Sequence, residues 1–275
     1  MARGNGGKEL KSQFRPTKLL RIFSRYDCQP MHLNVQAAES WKGSEAFMPR
    51  PIYETLPGAE SSEAETVFVA LAKAVQQRDL QTASHCERLA FISVAMGMIA
   101  GLERKDTLIL YQGGYMHDIG KVGIPDAILF KPGKLTAKEW EVMRTHPVRG
   151  VEICRHVKSL EPVVPIIRHH HERWDGSGYP DGLIGEEIPL LARLLQIGDI
   201  YDALTSPRPY KDALSPAKAV GIIREETARG WRDPQVVELF YRLHKDVISK
   251  ADRFLIGSDR SLGAMRAALS RMPAR

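Results

Sequence analysis

The 275-residue sequence has only three cysteines, Cys28, Cys86 and Cys154, far apart and without CxxC spacing. That excludes a disulfide framework and a thiolate metal site, and it fits a reducing compartment. No apolar run approaches the roughly 18 residues that a membrane-spanning helix requires, so no membrane partner is expected. The early basic residues Arg3 and Lys8 have no apolar segment behind them, so no secretory signal is expected and a cytoplasmic location is. Strand-like alternation is scarce and no internal repeat is visible, which leaves helix as the main structural element.

What is present is an ordinary globular balance, 43% hydrophobic and 26% charged. The net charge of +6 is concentrated towards the ends. Residues 1–25 carry Arg3, Lys8, Lys11, Arg15, Lys18, Arg21 and Arg25 against Glu9 alone, and the tail adds Arg253, Arg260, Arg266, Arg271 and Arg275. No aromatic interleaving or groove-reading motif accompanies these charges, so a nucleic-acid partner is not expected. A basic balance equally suits small anionic substrates such as nucleotides. Residues 1–60 mix Gly, Pro and polar residues and read as an irregular extension or linker, 61–250 as the folded domain, and 251–275 as a basic tail.

Within the domain the apolar spacing predicts helices. Val67, Leu71 and Val75 form one stripe, a second helix covers about 84–100, and a third runs through Leu108, Leu110, Tyr111 and Tyr115 into His117-Asp118. Another is expected over 190–204. Thr136 and Glu139 form a capping box, Ser215-Pro216 and Asp233-Pro234 mark helix starts, and Gly230 marks a helix end.

Candidate metal donors are scattered over these elements: His85, His117, Asp118, His146, His170, His171 and Asp199. Imidazole and carboxylate suit Fe, Mn, Ni or Zn. One ion rarely needs more than three or four protein ligands, so seven suggest two ions sharing a bridge. Paired ions are a common means of displacing an ester oxygen at phosphorus. Each residue alone has a blander explanation: His85 as a helix histidine, His146 as a helix-boundary group before Pro147, Asp118 as a cap. His169-His170-His171 after an apolar stretch is harder to explain by packing. The turn-rich segment 172–183 that follows reads as a pocket loop. Asp199 follows an apolar stretch and needs a partner, whereas Asp202 reads as supporting or structural. Arg88 shares a face with His85 as a supporting or phosphate contact. Lys121, one turn after Asp118, suits a phosphate oxygen, and Arg208, Tyr210 and Lys211 form a short segment suited to clamping one.

His117-Asp118-Ile-Gly-Lys121 resembles the core motif of the HD phosphohydrolase superfamily, and His170-His171-Glu-Arg-Trp-Asp175-Gly-Ser-Gly178-Tyr179-Pro180 is similar to the signature of its HD-GYP branch. The resemblance extends over about 65–245. It implies an all-α HD-domain helical bundle with the C-terminal helical extension of the HD-GYP type. It also implies a phosphodiesterase that hydrolyses cyclic di-GMP to pGpG and then GMP in bacterial signalling. By position it makes His85, His117, Asp118, His146, His170, His171 and Asp199 metal ligands with Asp118 as the bridge. Asp118 and Lys121 become catalytic groups, and Lys121, Tyr179, Arg208 and Lys211 substrate contacts. Where some relatives carry a Glu one turn before the first histidine, this chain has Gln81, which favours two divalent ions over three. Fe or Mn is expected, with Ni or Zn as alternatives. A metal-retaining receptor for cyclic di-GMP and an HD phosphohydrolase acting on another nucleotide stay open, as do a regulatory protein partner and a homodimer.

Overall fold

Residues 80–99 form a helix because almost every side chain from Leu89 to Met98 is apolar and can be buried. The computed structural model describes residues 68, 70, 71, 80–207 and 212–244. The extension 1–60, the tail 251–275, Arg208, Tyr210, Lys211, Val67 and Val75, and the side chain of Gln81 lie outside the described residues. Helix α1 (Leu80–Ile99) starts four residues before the expected boundary and ends just before Gly101, whose φ of +73° a glycine adopts freely. It is followed by α2 (Arg104–Met116), α3 (Asp126–Leu129), α4 (Ala137–Met143), α5 (His146–Cys154), α6 (Val164–His169), α7 (Leu190–Thr205), α8 (Pro216–Ala228) and α9 (Pro234–Leu243). Short 3-10 segments occupy 119–123, 158–163 and 185–187. The protein is all-α: among the described residues there is no strand, only an isolated bridge between Asp175 and Ile184.

Helix α1 packs against α2, α7 and α9, and α6 packs between α5 and α7. Their apolar faces form one core in which Leu89, Met96, Leu110, Met116, Ile166, Leu194 and Phe240 are fully buried. Phe68 joins it edge-on to Tyr115, with ring centroids 6.0 Å apart. The expected caps are in place. Thr136 and Glu139 exchange hydrogen bonds, Ser215 caps α8, and the Asp233 carboxylate accepts from the Gln235 and Val236 amides at the start of α9. Gly230 follows α8 with φ +81°. Among the described residues no helix is long and apolar enough to cross a membrane.

One contact sets where the helix ends meet. His117 closes α2 and Asp118 opens the 3-10 segment 119–123, which lies directly on α5. The approach is so close that a Cβ on Gly120 would meet the His146 carbonyl oxygen at 1.8 Å and the Gly150 amide at 2.5 Å. Backbone, not a flexible side chain, fills that space. Only glycine lets the His117-Asp118 turn reach the first residue of α5.

Gly120→Ala should therefore destabilise the protein by about 2 kcal/mol or more, because the obstruction cannot rotate away. Gly221→Ala in α8, where a Cβ meets nothing within 4 Å, should stabilise it by roughly 0.5–1 kcal/mol through helix propensity. Urea unfolding midpoints measure both, and equal midpoints for the two variants would contradict the close contact at Gly120.

Candidate metal centre and its cleft

The end of α2, the start of α5 and the end of α6 converge on the Asp118 carboxylate. His117, Asp118, His146 and His170 are all buried. His117, His146 and His170 each place Nδ1 against a backbone carbonyl: Gly114 at 3.2 Å, Met143 at 2.9 Å and Ile167 at 2.9 Å. A carbonyl can only accept, so each Nδ1 carries the proton and donates it. That leaves the Nε2 atom of each ring directed inward, the arrangement by which proteins fix imidazole ligands. His117 Nε2 lies 3.2 Å from Asp118 Oδ2. His146 Nε2 and His170 Nε2 lie 3.2 and 3.8 Å from Oδ1, and 3.3 Å from one another.

At His146, His170 and Asp118 Oδ1 acceptors face acceptors. Asp118 Oδ1 and His117 Nε2 are buried with no hydrogen-bond partner among the described residues. Two imidazole lone pairs in contact beside a carboxylate repel one another unless a cation lies among them. Protonation does not supply that cation at His170: burial, reinforced by His171, His117 and His146, holds its pKa well below the usual value. Burial and His146 likewise hold His171 down to about 3. Burial by itself would raise the Asp118 carboxyl, but Lys121 and His117 more than offset it and keep the group ionised. Burial by itself would lower the His117 pKa, but Asp118 more than offsets it and raises it, so an ion there would displace the His117 proton; neutral imidazole and ionised carboxylate are the forms that bind a divalent metal.

The donor atoms fall into two close groups that share one residue. Asp118, His146, His170 and His171 form one, and His85, His117 and Asp118 the other. Asp199 touches the second group through His85, with Oδ1 3.4 Å from Nε2, without entering either close set. Five of the seven candidate donors thus share a close group with Asp118, and Asp199 lies beside one of them, His85. The Lys121 ammonium lies 2.5 Å from Asp118 Oδ2.

Helix α7 holds the second group in place. Asp202 lies 2.7 Å from His85 Nδ1 and accepts from the Arg88 guanidinium at 2.5 and 3.0 Å. Arg88 also donates to Ser206 Oγ at 2.9 Å. The sequence left Arg88 between support and phosphate contact, and the geometry favours support. Asp202 orients His85 as the backbone carbonyls orient the other rings.

The segment after His171 is built on Glu172, whose carboxylate is fully buried yet accepts from the backbone amides of Asp181 and Leu183 at 2.7 and 3.2 Å. Gln196 of α7 donates to the carbonyls of His170 and Glu172 at 2.8 and 2.6 Å. Gly178 passes over this base so closely that a Cβ would meet the Arg173 amide nitrogen at 2.2 Å. The result places the Tyr179 ring stacked on His171, centroids 4.9 Å apart. Sequence reasoning missed Glu172 and Gln196. The only signal for Glu172 is a carboxylate followed by a Gly-rich loop, and for Gln196 a polar residue inside an apolar helix. His169 lies near Glu172 and Asp181. Both carboxylates are already committed, Glu172 to loop amides and Asp181 to a two-point contact with Arg168 at 2.7 Å.

A cleft of about 820 Å³ opens from these donors to the surface, lined by His170, His171, Asp199 and Tyr179 on one side and by residues of α4 on another. Metal donors at the floor of a cleft with cationic walls (Arg144, Arg173 and Arg232) suit an anionic substrate.

A family profile described as an HD domain matches residues 66–236. The chain is 37% identical over 209 residues to the cyclic di-GMP phosphodiesterase response regulator RpfG of Xanthomonas campestris pv. campestris, covering 75% of this chain and 55% of that protein. It is 39% identical over 171 residues to the 3′3′-cGAMP-specific phosphodiesterase 2 of Vibrio cholerae, covering 62% of this chain and 33% of the relative. A crystal structure of a cyclic GMP-AMP-specific phosphodiesterase of V. cholerae superposes with a TM-score of 0.55 at 20% identity, over 72% of this chain and 52% of that one. That likeness concerns the fold. The chain therefore spans about half the length of the first of these relatives, and a third of the second.

Glu172→Gln should cost about 1–3 kcal/mol, because an amide presents N–H to a backbone N–H where a carboxylate accepted two. It should also speed hydrogen exchange of the 176–183 amides. Unchanged exchange there would mean that the loop does not depend on this carboxylate.

Proposed function

The chain belongs to the HD domain family, and from that membership we propose that it is a divalent-metal-dependent phosphodiesterase that hydrolyses cyclic di-GMP to pGpG and, by a second cut, GMP. The observation that carries this reading is the sharing of Asp118 by two close donor groups. His146, His170 and His171 would hold one ion and His85 and His117 the other, with Asp199 beside His85 and Asp118 bridging. Fe or Mn fits this N/O donor set, with Ni or Zn as alternatives. When bound, such ions supply Lewis acidity and lower the pKa of water at neutral pH.

The chain's own groups do the rest. Asp118 must stay ionised, and Lys121 at 2.5 Å keeps it so. Lys121 is one-third exposed, and its compact charge can also offset charge on a phosphoryl oxygen. Arg208 and Lys211 would add cations from the segment after α7. Tyr179, held against His171, closes one side of the cleft and limits how the phosphodiester can lie. Attack by water at phosphorus in line with the 3′-oxygen breaks the P–O3′ bond and leaves a 5′-phosphate. A cytoplasmic location agrees with this substrate class.

A second reading concerns the bases. Relatives named as 3′3′-cGAMP-specific align at 34–39% identity, so 3′3′-cGAMP is the competing substrate. Comparing kcat/KM for the two dinucleotides decides between them.

Asp118→Ala should release the bound metal and reduce hydrolysis to background, read by elemental analysis and a product assay on anaerobically purified protein. Full activity in that variant would overturn the site. Chelation should lower the melting temperature of the wild type and metal should restore it, since an ion at 100 times its Kd stabilises by about 2.7 kcal/mol. The same treatment should not shift Asp118→Ala.

A further inference from the structure

Helix α4 supplies a cleft wall that the metal centre does not use. Ala137, Trp140, Glu141 and Arg144 recur at i, i+3, i+4 and i+7, the spacing that puts side chains on one face of a helix. All four line the cleft that reaches His170, His171 and Asp199. Trp140 is 48% exposed, lines the cleft, and stacks on no other aromatic ring among the described residues. The Arg144 guanidinium lies 5.3 Å from the centroid of the Tyr179 ring, which places its donors between α4 and the loop over the metal donors. The Glu141 carboxylate sits one turn before Arg144 and is exposed. The face is fixed at both ends. Thr136 and Glu139 cap the start of α4, Lys131 is bound to Glu139 at 2.6 and 2.8 Å, and His146 follows two residues after Arg144.

We propose that Trp140, Glu141 and Arg144 form a guanine-reading subsite for the substrate whose phosphodiester lies at the metal centre. The proposal rests on the reading of the protein as a cyclic dinucleotide phosphodiesterase. A flat indole wall takes a purine by stacking, which by itself does not distinguish one purine from another. The polar pair distinguishes them. Guanine presents two acceptors, O6 and N7, to a guanidinium, and two donors, N1–H and the 2-amino group, to a carboxylate. Adenine keeps the N7 acceptor but sets its 6-amino group against Arg144 and the N1 lone pair against Glu141. The subsite therefore accepts a cyclic dinucleotide with at least one guanine, which includes 3′3′-cGAMP, and rejects one with none.

The test uses the full metal-loaded chain and three substrates: cyclic di-GMP, cyclic di-AMP, and methyl p-nitrophenyl phosphate, a diester with no base. Trp140→Ala should lower kcat/KM for cyclic di-GMP by about tenfold, mainly through KM, with a much smaller loss on the base-free diester. Trp140→Phe should recover most of it. Arg144→Met and Glu141→Gln should each shrink the preference for cyclic di-GMP over cyclic di-AMP by about tenfold, the scale of a good bidentate base contact. Equal losses on all three substrates, or an unchanged preference, would overturn the subsite while leaving the phosphodiesterase reading intact. Cleavage of the base-free diester with no turnover of any cyclic dinucleotide would overturn the substrate reading and the subsite with it.

Discussion

A buried carboxylate surrounded by imidazole lone pairs is the constraint on which the rest of this structure depends. Asp118 is 5% exposed, and an ionised group taken that far from water costs several kcal/mol unless it is paired. Lys121 offsets part of its charge, but one oxygen and the facing Nε2 atoms remain uncompensated. The protein could have relieved this by turning the rings outward. Instead three of them are tied by Nδ1 to backbone carbonyls, so the strain is held in place. Apolar packing does not need such an arrangement. A site that must take up positive charge does.

Holding it requires the backbone to do unusual things nearby. The turn at Asp118 reaches α5 only because residue 120 has no side chain. The segment beyond His171 would otherwise swing away from the donors, and it is pinned from below by a buried carboxylate and from the side by an amide on α7. Helix α7 carries three such duties at intervals of three: Gln196 on the His170 and Glu172 carbonyls, Asp199 beside His85, and Asp202 orienting His85 and Arg88. Between and beside them Ala192, Leu194, Leu195, Ile197, Gly198 and Tyr201 are buried in the core. The rigidity of the site is thus borrowed from the packing of α7 against α1 and α2.

This division explains how much could be read from the sequence. Donor residues are legible because histidine and aspartate next to apolar helical runs are chemically out of place; six of the seven candidates lie in two close groups that share Asp118, and Asp199 lies beside His85. Helix starts are legible because a cap is a local device: Thr136, Ser215 and Asp233 need only their own neighbours. The end of α2 is less so, since a helical run into His117-Asp118 looks the same whether or not the helix stops at Met116. Glu172, Gln196 and the orienting role of Asp202 depend on partners 9 to 117 residues away. No spacing rule contains that information. A buried polar residue among apolar neighbours signals that some partner exists, and only the fold says which.

The same division separates chemistry from selectivity. On the proposed reading every 3′,5′-linked cyclic dinucleotide would present the same phosphodiester to the groups around Asp118, so nothing there could tell one base from another. Discrimination has to come from groups far enough away to touch a base, yet fixed relative to the donors within an ångström or so. Helix α4 meets both conditions. It is too short to be stable alone, and it is held by a capping box at one end and by the chain entering α5 at His146 at the other.

 Any change that loosens α4 would therefore blur base selection before it touched bond cleavage. The distance between α4 and the candidate donors, set by the two residues from Arg144 to His146, would in the proposed subsite couple which nucleotide is held to where its phosphorus lies.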